Sequence, residues 1–165
     1  MEAIMIIHPI PPIYNKNSRV LILGSFPSVR SREIGFYYGH PQNRFWPLIA
    51  ALCQEALPTS IEEKTDLLHR HGIALWDVAA ACEIQGSADS TLTKVVANDL
   101  SPIFEGASIS QVFVNGSTAA KYYQRLIQPQ IQRAAIILPS TSPANATWSF
   151  DRLLDAWRVI QPYIT

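Results

Sequence analysis

Eleven residues, Phe36 to Trp46, read FYYGHPQNRFW and set five aromatic rings beside His40, Gln42, Asn43 and Arg44. Gly39 and Pro41 break the stretch and Pro47 closes it, so it cannot be one clean helix face. Aromatic faces stack on flat heterocycles, and amides hydrogen-bond their edges or orient a water. Three other segments are equally rich in hydroxyls and amides: Gly24-Ser25-Phe26-Pro27-Ser28, Asn115-Gly116-Ser117, and Ser140-Thr141-Ser142-Pro143-Ala144-Asn145. Carboxylates near them are few: Glu33, Asp77 and Glu83. Asp77, after a Leu-Trp pair, reads either as a site acid or as a helix cap. The set suits a planar base held in a dry pocket better than acid–base hydrolysis of a peptide or a sugar.

Common catalytic engines are missing. GSFPS has neither the spacing of a GxSxG nucleophile elbow nor that of a glycine-rich phosphate loop. Cys53 and Cys82 form no CxxC and are too few for a thiolate cluster, so no metal site is expected. His69 and His71 fall at a helix end, where they complement its dipole. His40 reads either as a polar contact in the site or as part of a local turn. Asn is a preferred helix cap, but a cap at Asn43 would offer its carbonyl to the missing N–H of Pro47. The helix is better started with Pro47 in its first position and Trp46 as cap, which leaves Asn43 free in front of it. Phe45 and Trp46 then read as core, and Phe36, Tyr37 and Tyr38 as stacking candidates.

These residues need a frame. RVLILG (19–24), IALWDV (73–78), SQVFVNG (110–116) and AAIILPS (134–140) are short apolar runs of the kind buried on both faces of a sheet. Helices are predicted from Phe45 to Leu57, between the Ser60/Glu63 capping box and Gly72, from Pro102 to Gly106, over 117–128 and over 149–164. A helical turn is predicted over 79–82, and loops over 25–43, 83–91 and 141–148. Strands alternating with helices predict a three-layer α/β/α sandwich with a central four-stranded, mainly parallel sheet. In such sheets ligands bind outside the carboxyl ends of the strands. All four polar segments fall on that rim.

The chain has 165 residues, of which 48% are hydrophobic and 16% charged, a composition that supports one packed domain, 1–165, with 1–18 as an extended lead-in. With 13 basic and 13 acidic residues the net charge is zero, so any nucleic-acid contact must rest on a local patch, for which Arg30, Arg32 and Arg44 are candidates. No run reaches membrane-spanning length, the start has no basic n-region, and two unpaired cysteines suit a reducing compartment; a cytoplasmic monomer is expected.

In this order and on these elements, LILGSFPS, FYYGHPQNRFW, FVNG and LPSTSPANA resemble the uracil-DNA glycosylase superfamily, with most similarity to its hypoxanthine-DNA (deoxyinosine) glycosylase branch. The resemblance implies hydrolysis of the base–sugar bond in DNA containing a deaminated base, hypoxanthine first and uracil second, without metal or cofactor. The superfamily's first motif commonly holds an Asp or Asn that positions water. GSFPS has neither, and the resemblance moves that role to Asn43. It further implies that Phe36 or Tyr37 stacks on the flipped base and that Asn115 reads its edge, with Ser25 and His40 nearby. Ser28, Ser140, Ser142, Asn145 and Arg44 would then contact the DNA backbone and groove. A non-catalytic nucleic-acid-binding module on the same fold and a hydrolase of free nucleosides are the alternatives.

Overall fold

The computed structural model describes residues 4–84 and 92–164. Four parallel strands make the central sheet: β2 (Val20–Gly24), β3 (Ile73–Asp77), β6 (Gln111–Asn115) and β7 (Ala135–Leu138), in the order β3-β2-β6-β7. The register sets Gly24 opposite Asp77 and Asn115 opposite Leu138, so the polar strand ends share one rim. Side chains alternate along β2. Val20 and Ile22 pack beneath α2 (Phe45–Cys53), α3 (Ile61–Arg70) and α7 (Phe150–Trp157). Leu21 and Leu23 pack against α4 (Ser101–Gly106) and α5 (Ser117–Tyr122). This is the three-layer α/β/α arrangement that the alternating pattern predicts. α5 continues through a π turn (Tyr123–Ile127) into α6 (Gln128–Ile131), and α7 into a 3₁₀ segment (Arg158–Tyr163).

A second sheet does not follow from the pattern. β1 (Ile4–Ile7), β4 (Ala79–Ile84) and β5 (Leu92–Ala97) pair antiparallel in the order β1-β4-β5. The helical turn predicted over 79–82 is therefore a strand. Alanine favours helix, but Val78 and Ala79 donate their N–H groups to the carbonyls of Gly24 (2.7 Å) and Ser25 (3.0 Å), and pairing on both sides overrides propensity. The lead-in holds β1. Of the loop predicted over 83–91, Glu83 and Ile84 belong to β4 and the remainder lies outside the described residues.

Two further boundaries differ. The segment 25–43 is not all loop: α1 (Val29–Ile34) forms within it, capped by the Ser28 hydroxyl accepting from Ser31 N–H (3.1 Å) and closed by Gly35. α2 ends at Cys53 rather than Leu57 and starts at Phe45 with Arg44, not Trp46, as its cap. Pro47 is then the third helical residue, whose N–H has no partner inside the helix in any case, so it costs nothing there. The Ser60 cap on Glu63 N–H (3.0 Å) and the left-handed Gly72 that closes α3 both form as predicted, while the Glu63 carboxylate accepts from the Thr59 and Ser60 hydroxyls.

Candidate active site

Gly24 ends β2 where three elements meet. A methyl on its Cα would lie 2.4 Å from Asp77 Oδ1 and 3.0 Å from the Tyr38 hydroxyl, so no other residue fits there without displacing them. Tyr38 is half-buried and takes a left-handed backbone (φ 52°), uncommon for a bulky residue and characteristic of sites where the surroundings fix a strained conformation. Its ring stacks on Phe45 with centroids 4.0 Å apart.

Asn115, at the end of β6, is buried. Its Oδ1 accepts from Thr141 N–H (3.1 Å), which fixes the orientation of the amide. Its Nδ2 then donates to Thr141 Oγ1 (3.0 Å) and to the Tyr38 hydroxyl (3.2 Å). Gly116 follows at φ 98°, where a Cβ would lie 3.1 Å from that of Ser140; glycine is needed on both counts.

The loop from Ser140 is held by its own side chains. Ser140 Oγ accepts from Ser142 N–H, Ser142 Oγ from Ala144 N–H, and Asn145 Nδ2 donates to the Ser140 carbonyl. Arg44 binds it from outside. Its guanidinium donates to the carbonyls of Ser142 (3.0 Å), Asn145 (3.0 Å) and Trp148, and its backbone N–H to the carbonyl of Thr141 (3.1 Å). Arg44 is thus the holder of this loop rather than a free phosphate ligand: three carbonyls with no strand to pair with offer it better geometry than solvent does. The other two expected patch members are also engaged, Arg30 with Glu33 (3.7 Å) and Arg32 over the ring of Phe26 (5.6 Å).

Asn43 stands on the same rim, one residue before the Arg44–Thr141 link. Its N–H donates to the His40 carbonyl (2.9 Å), and its Oδ1 accepts from Phe45 N–H (2.9 Å). It does bond the start of α2, but as a short turn in front of the cap. Only its acceptor is used in this way; the Nδ2 donor makes no hydrogen bond to a described residue. His40 is exposed, and its Nδ1 accepts from Gln42 N–H (3.1 Å), so its turn role is realised.

The expected stacking residues are core. Phe36 (7% exposed) stacks on Trp46 with centroids 6.0 Å apart and planes 13° from parallel. Tyr37 (2% exposed) donates its hydroxyl to the Pro11 carbonyl (2.8 Å), and burial pushes that hydroxyl far above the usual tyrosine range. Neither offers a free face; the ring at the rim is Tyr38. The apolar neighbours Trp46 and Ile10 draw the first two rings inward, and the left-handed turn at Tyr38 lays the third, half-buried, over Phe45. Ser25 is buried and takes the Ala79 N–H on its carbonyl; Ser28 caps α1.

Asp77, left open as acid or cap, is buried at the end of β3 and bonded to His8 (2.8 Å). His8 carries no motif that marks it. β1 brings it there by pairing with β4, and its own N–H bonds the Ala80 carbonyl (2.7 Å). Among the described residues no group of three or more His, Cys, Asp or Glu side chains is arranged to hold a metal ion, and no helix is long and apolar enough to cross a membrane.

The arrangement is an α/β/α sheet whose carboxyl-end rim holds amides, hydroxyls and an aromatic face. The model of the uracil DNA glycosylase superfamily matches residues 11–161, and the chain belongs to that superfamily. Two relatives are named hypoxanthine DNA glycosylase. One, from Methanosarcina acetivorans, is 34% identical over 150 residues, covering 90% of this chain and 94% of its own. The other, from Methanosarcina barkeri, is 32% identical over 137 residues, covering 82% and 85%. The solution NMR structure of a Methanosarcina acetivorans protein assigned to the uracil DNA glycosylases superposes with a TM-score of 0.80 at 31% identity, covering 96% of this chain and 97% of that one.

Proposed function

We propose that the chain is a monofunctional DNA glycosylase that removes hypoxanthine, with uracil as second substrate, acting as a monomer on intracellular DNA. The observation that carries this reading is a continuous chain of bonds across the rim. Tyr38 hydroxyl, Asn115 amide, Thr141 backbone and Arg44 N–H are linked in series, and Asn43 adjoins the last of them. A stacking face and a candidate water holder are thus held on one frame.

Hydrolysis breaks the bond between C1′ of the sugar and the base nitrogen. A water oxygen bonds C1′, the bonding pair leaves with the base, and the proton lost by the water ends on the departing base or in solvent. The target base must first leave the duplex stack. Tyr38 forms one wall for it, and Phe45 backs that ring; Phe36 and Tyr37 support the turn from behind. The Asn43 amide orients the water. Polar groups fixed before the reaction stabilise developing charge at little reorganisation cost, and no acid or metal is required for that. Ser140, Ser142 and Asn145 shape the loop that meets the backbone, and Arg44 keeps it in place. Ser25, Ser28 and His40 border the sugar side.

Duplexes carrying one hypoxanthine, uracil or xanthine, incubated with the protein and then treated with alkali, test the reading. Strand scission at hypoxanthine is the expected result, with a weaker signal at uracil. Lesion binding without scission would instead mark a binding module, and release of base from free nucleosides alone a nucleoside hydrolase.

A further inference from the structure

Zero net charge requires any hold on DNA to come from a few local cations, and the three expected at the rim do not supply it. Arg44 is taken up by loop carbonyls, Arg30 pairs with Glu33, and Arg32 is half-buried over Phe26. One cation beside the same loop is placed differently. Arg152 lies in the first turn of α7, which follows the loop that leaves the carboxyl end of β7. Its side chain turns back onto that loop. The guanidinium carbon rests 4.2 Å from the centroid of the Trp148 ring, and Nη1 donates to the Thr147 carbonyl (3.4 Å). Arg152 is exposed, and no carboxylate among the described residues pairs with it. Of the two acids on α7, Asp155 pairs with Arg158 (3.2 Å), and Asp151 is its chain neighbour, and adjacent side chains on a helix do not face each other.

We infer that Arg152, stacked on Trp148, is the phosphate ligand of the rim: it binds a phosphodiester of the DNA backbone that flanks the lesion. The inference rests on the proposed glycosylase reading. A free surface arginine samples many rotamers, and ordering it on binding costs entropy. Stacking on Trp148 meets part of that cost in advance, because a cation over an indole face is held without using its N–H donors. Most of those donors remain for a ligand, in the planar fork that matches a phosphate. The platform is itself anchored. Trp148 packs on the core, its N–H bonds the Asn145 carbonyl (3.2 Å), and its own carbonyl takes Arg44. The two arginines thus meet at one residue: Arg44, half-buried, fixes the loop, and Arg152, exposed, is carried by it. A phosphate contact sets register and orientation and reads no base, so it serves damaged and undamaged duplex alike.

Binding of an undamaged duplex tests the assignment apart from cleavage. Arg152→Ala should weaken affinity by about 10-fold at low salt and lower the slope of log affinity against log salt by about 1, whatever the sequence. Circular dichroism should not change, because the side chain is exposed. Arg152→Lys should restore the slope but not the full affinity, since an ammonium carries the charge without the planar stack. Lys16→Ala removes the same charge at the amino ends of the strands and should leave both quantities as they are. An unchanged slope in Arg152→Ala, a slope that Arg152→Lys does not restore, or an equal loss in Lys16→Ala overturns the assignment. If the wild-type protein cleaves no lesion but shows the Arg152-dependent slope, the glycosylase reading falls and the phosphate contact stands. If it cleaves hypoxanthine and the slope holds in Arg152→Ala, the contact alone falls.

Discussion

At the carboxyl ends of β2, β3 and β6, Asp77 and Asn115 are buried and tied to His8, Tyr38 and Thr141 of the loop that follows β7. At the amino ends of the same strands, Lys16, Arg19, His69 and Arg70 line an open cleft of about 620 Å³ with Ser108 and Ser110. The cleft is basic, and by charge alone it would draw attention first. Its cations are mostly exposed, and His69 and Arg70 sit at the end of α3, where positive charge complements the helix dipole. Lys16, Arg19 and Arg70 are well solvated and screened, so carrying them costs the fold little; His69 differs, its Nδ1 buried without a partner among the described residues. The rim is different. Asp77, Asn115 and Thr141 have left water and must find partners inside the protein. Density of buried, hydrogen-bonded polar groups, not positive charge, distinguishes the end of the sheet to which we assign the base.

Breaking the rim at its proposed chemical centre should have the largest effect. Asn43→Ala should lower single-turnover cleavage of a hypoxanthine duplex by about 100-fold or more, the scale seen when one fixed donor is removed from a reacting centre. The fold should survive, since only the bond to Phe45 N–H is lost. Asn43→Asp keeps that acceptor and exchanges the amide donor for a carboxylate, which can itself hold a water, so it should retain more cleavage than the alanine variant. Near-native cleavage by Asn43→Ala would remove Asn43 from the mechanism.

Asn115→Leu separates structure from chemistry less cleanly, because it strips partners from Thr141 and Tyr38 together. Leaving such groups buried and unbonded should cost about 2 kcal/mol or more in urea unfolding, with activity reduced in parallel. Arg44→Met should cost less, about 1–2 kcal/mol, because the carbonyls it leaves are partly accessible to water. Its signature is local. Amide exchange at Asn145 and Trp148 should quicken while the central strands stay protected. Unaltered exchange there would deny Arg44 its holding role.

The same contrast explains what was legible in the sequence. Apolar runs of five or six residues ending in Gly, Asp or Asn announced the parallel sheet and its polar rim. Those signals are local and repeat along the chain. β4 was hidden because Ala79, Ala80 and Ala81 favour helix, and their pairing depends on β1 and β5, which are distant in sequence. His8 was hidden for the same reason: nothing near it in the chain speaks of Asp77, 69 residues on. Among Phe36, Tyr37 and Tyr38 composition gives no choice. The backbone decides it, with a left-handed turn at Tyr38 that no propensity scale would assign to tyrosine. Asn43 does stand in front of the helix, but Pro47 is not the reason. Proline is tolerated anywhere in the first turn, so it cannot mark the first residue.

The smallest effect belongs to the charged end. Glu55 accepts from Arg70 (2.5 Å) and pairs with His71, and these bonds hold its carboxyl down from 4.5 to about 2. A carboxyl lowered on folding adds stability that is complete above its unfolded value and is lost as the pH falls through its folded one. The contribution should therefore be full at pH 5 and above, decline between pH 4.5 and about 2, and vanish below. Glu55→Gln should flatten the acid limb of the stability profile in that window, and added salt should shrink the difference between the two proteins, because the group is open to solvent. Cleavage of a hypoxanthine duplex at neutral pH should not change. A fall in cleavage would mean that the amino-end charges reach the rim through the strands, and that the two ends of the sheet are not independent.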